Sequence, residues 1–226
     1  MRIFRPILSG AVWNDRLLGG VGAAFGILLA GLVAACVGGS WPVPLLIAPI
    51  GASAVLVFAV PASPLAQPWP VIGGNMLSAV FALLVEAIVA QPMLAAPLAV
   101  GGAIVLMSLC RCLHPPGGAV ALSVVLLATS GHSASWQFPL SPVAIDSAVL
   151  VVAGLLFHRV SGHSYPHRAA TAPPSSAFEA EDVDAALAAM HETFDIARED
   201  LDALLAHAAR HAAIRRGRSG RSSPRR

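Results

Sequence analysis

LHPPGGA occupies positions 113–119. Two prolines and two glycines stand side by side between long apolar runs. Proline lacks an N–H and fixes φ, and glycine weakens a helix interior. The cluster therefore ends one helix and starts another, yet its surroundings are too apolar for an ordinary surface loop. How a chain folds around such a break inside apolar sequence decides the architecture.

The chain has 226 residues, 56% hydrophobic and 12% charged, against about 25% charged for a soluble domain. From Leu17 to His158 the only charged residues are Glu86, Arg111 and Asp146. An apolar stretch of that length excludes a soluble core and reads as a polytopic, all-α membrane protein. No cleavable leader is evident, because the first apolar stretch is as long as a full span. The spacing predicts six transmembrane helices: Leu17–Gly38, Pro44–Val60, Val71–Ala90, Met93–Cys112, Pro116–Ser130 and Pro142–Phe157. Arg2, Arg5 and Arg16 precede the first, Arg111 falls between the fourth and fifth, and Arg159 and Arg168 follow the last. With six spans these all lie on one side. The positive-inside rule then places both termini in the cytoplasm of a cell whose inner membrane holds the protein.

An echo of the opening stretch lies upstream. Residues 48–56 read APIGASAVL and residues 114–122 read HPPGGAVAL, so that Pro49, Gly51 and Leu56 match Pro115, Gly117 and Leu122. The chain divides accordingly into repeats 17–90 and 93–157 of three spans each. An odd number of spans inverts the second copy, an architecture shared by many transporters and channels. Spans two and five are short for a hydrocarbon core of about 30 Å. Each starts with proline, suited to a first helical turn, followed by glycine. A half-helix beginning inside the membrane would present unpaired amide N–H groups and the positive end of its dipole, a site for a small anion without a buried cation. The competing reading of the cluster is a tight inter-helical turn at the membrane surface.

On the first reading Pro49, Gly51, Ala52 and Ser53, together with Pro115, Pro116, Gly117, Gly118 and Ala119, form the binding site. His114 is a polar gate, and Gln67 and Asn75 line the path; Ser78 and Ser123 offer further hydrogen bonds or join helices. Arg111 anchors a helix end or steers anions. Glu86 snorkels from the end of span three or acts within the membrane. Gly22-x-x-x-Gly26 allows close helix packing and a dimer. Cys36, Cys110 and Cys112 read as apolar thiols rather than a disulfide framework or a metal site. No catalytic pair, cofactor or metal is expected, and the chain reads as no enzyme.

Residues 169–178 carry Pro173-Pro174 and read as a linker. Beyond it, 179–214 is predicted to form amphipathic helices on the cytoplasmic face, with Ser176-x-x-Glu179 as a capping box and Asp195 capping the second helix. The arginine-rich residues 215–226 read as a disordered tail touching anionic lipid, with no nucleic-acid partner.

The stretch L-H-P-P-G-G-A-V-A-L resembles the signature of the HPP family of integral membrane proteins. A-P-I-G-A-S-A-V-L-V-F and S-P-L-A-Q-P-W-P-V-I-G-G-N are similar to that family's other recurring segments, and the resemblance covers about residues 10–170. The segment S-G-H-S-Y-P-H-R and the acidic helices after it resemble the connector that leads, in bacterial relatives, to a pair of CBS domains, which this sequence does not show. Chloroplast members of the family are linked to nitrite transport. The resemblance thus implies a membrane passage for a small monovalent anion, nitrite first, and agrees with the amide site. The alternative is a non-transporting scaffold or sensor that signals through its cytoplasmic helices.

Overall fold

A computed structural model describes residues 13–37, 46–169, 178–190 and 194–221. Among them every regular element is helical: α1 (Trp13–Val37), α2 (Pro49–Ala59), α3 (Asn75–Ile88), α4 (Pro92–Leu109), α5 (Pro115–Thr129), α6 (Ile145–Ser161), α7 (Ala180–Met190) and α8 (Arg198–Arg221). A π-helical turn leads into α3 (Pro70–Gly74) and another into α6 (Pro139–Ala144), and a 3-10 turn (Pro64–Ala66) lies before the first. The chain divides into two compact units, Met1–His167 and Arg168–Arg226.

All six expected apolar helices are present in the first unit, but four are long and apolar enough to cross a membrane: Trp13–Cys36, Pro70–Ile88, Pro92–Leu109 and Pro139–Ser161. The two that fall short, α2 and α5, are the spans expected to be short. Their 11 and 15 residues cover about 16 and 22 Å at the α-helical rise. The expected start of span two at Pro44 and the arginines Arg2 and Arg5 lie outside the described residues.

Small residues set the helix spacing. The Gly22–Gly26 face is spent inside the subunit: a Cβ on either glycine would stand 2.6 Å from the Phe58 ring. It is therefore not a free surface for the dimer expected there. Between α3 and α4, a Cβ on Gly102 would meet the Phe81 ring at 2.1 Å, and Ala95, Ala99 and Ala103 are buried at successive helical turns. Large side chains point the other way. Val21, Leu28 and Leu32 of α1, Leu98, Val105 and Leu109 of α4, and Val152 and Leu156 of α6 are exposed. Small residues inside and large apolar ones outside is the distribution expected of helices facing lipid.

The packing pairs follow a pattern. Helix α1 packs on α2 and α6, α4 packs on α5 and α3, α3 packs on α5, α6 packs on α2, and α2 meets α5. Exchanging α1 with α4, α2 with α5 and α3 with α6 returns the same set of pairs. Each half also has the same order: a long helix, a short one begun by proline, and a long one entered through a proline-led π turn.

In the second unit Val183 of α7 and Ala203 and Ala206 of α8 are buried. The start of α7 differs from the expected capping box. The Glu179 amide donates to the Asp182 carboxylate at 3.0 Å just before α7; the expected cap at Ser176 lies outside the described residues. Helix α8 begins at Arg198, later than a cap at Asp195 requires, and runs to Arg221, where a disordered tail was expected from 215. Arg198 ties the pair, donating to the Asp184 and Asp202 carboxylates and to the Ala180 carbonyl.

Candidate functional site

The sequence expectation places the site at the amide ends of α2 and α5, and the two ends turn out differently built. At α2, Ala48 is already helical (φ −55°, ψ −40°). The Ile50 amide donates to the Ile47 carbonyl and the Gly51 amide to the Ala48 carbonyl, both at 3.1 Å. The leading amide, Ile47 N–H, donates to Oδ2 of Asp146 at 3.1 Å. A carboxylate from the start of α6 thus does for α2 what an acidic third residue does in a capping box. The anion at this positive helix end belongs to the protein itself. At α5, Pro115 and Pro116 have no N–H to offer, and the Gly117 amide donates to the His114 carbonyl at 2.8 Å. The expectation of open amides is therefore not met at Ile50, Gly51 or Gly117; local turns consume them.

Side chains take their place. Nδ1 of His114 lies 2.8 Å from the Leu65 carbonyl oxygen. A carbonyl can only accept, so Nδ1 carries the proton and Nε2 of the neutral ring is an acceptor. The Ser53 hydroxyl donates to it, 2.8 Å from Nε2. Nδ2 of Asn75 then donates to Ser53 Oγ at 3.2 Å and to Ser147 Oγ at 3.1 Å. In the string Leu65–His114–Ser53–Asn75–Ser147 donation runs outward from the Asn75 amide, through Ser53 and His114 to the Leu65 carbonyl on one side and to Ser147 on the other, and the string joins α2, α3, α5 and α6. Leu65, Ser53 and Asn75 come from the first half, His114 and Ser147 from the second. All four polar side chains are 0% exposed. Two further buried atoms, Asn75 Oδ1 and Ser78 Oγ, have no hydrogen-bond partner among the described residues. They sit three residues apart on α3, on one helical face.

The glycines explain the tight junction beside the string. A Cβ on Gly117 would stand 2.6 Å from Ser78 Oγ and 3.0 Å from the Gly74 carbonyl oxygen. One on Gly74 would stand 2.6 Å from the Cys112 carbonyl oxygen and 2.7 Å from His114 Cβ. So Pro115 and Pro116 start α5, and Gly117 lets it approach the head of α3. Gly118 has room, with its nearest neighbour, Val100, at 3.8 Å. Pro49 and Pro116 are buried, whereas Gly51, Ala52, Pro115 and Ala119 are exposed. Of the expected site residues, Ser53, Asn75 and His114 come together, with Pro116 and Gly117 packed beside them.

Gln67 stands apart. Its Nε2 donates to the Pro61 and Ser63 carbonyls, and its Oε1 accepts the His167 amide at 2.8 Å. It closes the loop after α2 onto the segment after α6. Tyr165 does the same, donating its hydroxyl to the Ala66 carbonyl at 3.0 Å; burial pushes its pKa up, which keeps it a donor. His158 is buried between Phe58, Phe157 and Tyr165, with Nε2 donating to the Val57 carbonyl at 2.9 Å. Glu86 is half-buried. Arg111 is exposed with φ 53° at the left-handed position of a Schellman turn ending α4, in which Cys112 N–H bonds the Met107 carbonyl. Sequence reading missed Asp146 and Ser147 as site residues. The signal available was the isolation of Asp146, the one acid in the last span.

Comparison with known proteins agrees with this architecture. The chain is 36% identical over 129 residues to one transmembrane protein of Dictyostelium discoideum, covering 54% of this chain and 44% of that one. It is 36% identical over 115 residues to a second, covering 49% and 37%. It thus spans less than half the length of each of these relatives. No solved structure matches. The profile of the HPP transmembrane region matches residues 9–166, which takes in α1 to α6 and the whole polar string. The chain belongs to the HPP family of membrane proteins.

Proposed function

We propose that the protein passes a small monovalent anion, nitrite first, across a bacterial inner membrane, and that the polar string between the two halves is where the anion is held. One observation carries this reading: four fully buried polar side chains, with two orphaned polar atoms beside them, meet at the junction of two short helices in an otherwise apolar bundle. An unpaired buried polar atom costs about 1–3 kcal/mol. A molecule other than this chain that supplies the missing hydrogen bonds recovers that energy. The Ser78 hydroxyl is a donor to an anion's oxygens, and Ser53 becomes a second when its bond to His114 opens, while Asn75 Oδ1 accepts from water or another donor that accompanies the anion. His114 is then the gate, holding the Ser53 hydroxyl until the permeant takes it.

The exchange pattern of the helix pairs supports two structural repeats. Three apolar helices per half make those repeats inverted, with α2 and α5 entering from opposite faces. The arginines around the bundle favour cytoplasmic termini. Site residues on the paired short helices and at the heads of the following helices are what alternating or gated passage between two halves requires.

The test is flux through sealed liposomes holding the purified protein, across nitrite, nitrate, formate, chloride and bicarbonate. Nitrite or another of these should move faster than in protein-free vesicles, and His114→Ala or Gly117→Leu should slow it. No flux for any of them sinks transport and favours the scaffold or sensor acting through α7 and α8.

A further inference from the structure

We infer that Asp146 is a proton-binding site that ties each passage of the anion to the movement of a proton in the same direction. The inference rests on the transport reading above and adds its coupling ion. Asp146 lies in the span Pro139–Ser161 and is 1% exposed. Its hydrogen-bond donor is a backbone amide, Ile47 N–H, and among the described residues no arginine bonds it. Of the elements packed on α6, α1 carries Asp15, Arg16 and Cys36, and α2 and the two π turns carry no titratable group. On α6 itself His158 and Arg159 lie three turns further on, at its far end. His114, at the head of α5, is the titratable member of the string. A carboxylate inside a span without a cation partner is the usual mark of a proton relay.

The position of Asp146 gives the proton something to control. One side of the residue holds the lead-in of α2, and α2 carries Ser53 to His114. The next residue along, Ser147, is the end of the string and accepts from Asn75. Both hang on the start of α6, just past a π turn in which Ser141 leaves helical geometry (φ −134°, ψ 115°). Proton uptake converts the carboxylate to a neutral carboxyl, the proton coming from hydronium in the solution on one side, which is left as water. The bond to the Ile47 amide loses its charge assistance, the grip on α2 weakens, and Ser53 can leave His114 for the anion. By reciprocity an anion that draws Ser53 away favours the protonated state. The proton and the monoanion together carry no net charge.

The experiment uses the full chain in proteoliposomes with a nitrite gradient and a pH-sensing dye in the lumen. Protein-free vesicles are subtracted, because nitrous acid crosses lipid unaided. The wild type should acidify the lumen as nitrite enters. Its flux should rise as external pH falls, by up to about tenfold per unit, and should ignore an imposed membrane potential. Asp146→Asn keeps an acceptor for Ile47 N–H. It should still pass nitrite, but without acidification, without the pH slope, and with a rate that now follows the potential; Asp146→Glu should restore coupling. Coupled flux persisting in Asp146→Asn overturns the assignment and leaves transport standing. So does loss of flux in both variants when each remains folded by size exclusion, since Asp146 would then be a structural clamp on α2. No wild-type flux above protein-free vesicles overturns the transport reading itself.

Discussion

The heads of α2 and α5 carry the same proline-glycine signature and are completed in opposite ways. At α2 the chain's own carboxylate, from Asp146, sits on the leading amide. At α5 a histidine leads, its ring turned to Leu65 and Ser53 while its carbonyl takes the Gly117 amide. Gly51 has open space around it, whereas Gly117 is pressed against Ser78 and Gly74. The shared signature sets where the two helices begin. Which of those beginnings is tight, charged or polar is decided by residues brought from elsewhere in the chain.

The largest expected contrast is between those glycines. Gly74→Ala puts a methyl group on the Cys112 carbonyl, where backbone rather than a mobile side chain must yield. Gly117→Ala does the same against Ser78 and Gly74. Each should lower stability by about 1–3 kcal/mol or more, seen as a fall in the thermal midpoint in detergent. Gly51→Ala, the matched change in the first half, should be neutral or gain up to about 1 kcal/mol of helix propensity. Equal losses at Gly51 and Gly117 would mean that the two junctions are packed alike.

A second contrast separates the polar groups. Ser53→Ala leaves Nε2 of His114 without its donor, and Asp146→Ala leaves Ile47 N–H without its acceptor. Each should cost about 1–3 kcal/mol, and the two losses should differ in kind. Ser53→Ala should impair nitrite flux by any measure, whereas the effect of changing Asp146 should show in pH dependence. The smallest effect belongs to the helix ends. Arg111 and Gly131 hold equivalent left-handed positions after α4 and α5 (φ 53° and 81°). Arg111→Gly should relieve about 1 kcal/mol of backbone strain, and Gly131→Ala should impose a similar penalty. A midpoint unmoved by either change would show that these turns adjust freely.

Much of this was legible in the sequence because it is local. Apolar runs, proline at helix starts and the echo between APIGASAVL and HPPGGAVAL mark six helices and their halves. His114, Asn75 and Ser53 stand out as polar residues in apolar surroundings, and they do meet. The open amides were misjudged because turns at Ile47–Gly51 and His114–Gly117 satisfy them within a few residues, a matter of dihedral angles rather than composition. Gln67 looks no different from Asn75 in sequence; only the approach of His167, one hundred residues away, assigns it to a loop. The partnership of Asp146 with Ile47 spans 99 residues and joins the last helix to the second, which no spacing rule reaches.

That difference between Gln67 and Asn75 supplies the most direct test. Asn75→Leu replaces an amide by an apolar group of similar size and takes the N–H partner from Ser53 and Ser147, so stability should fall by about 1–3 kcal/mol while the middle of the string disappears. Nitrite flux should fall by about tenfold or more, equivalent to about 1.4 kcal/mol, because Ser53 is no longer held in place for the permeant. Gln67→Leu should slow flux far less, in proportion to its loss of folded protein. Wild-type flux through folded Asn75→Leu would contradict the account at its centre.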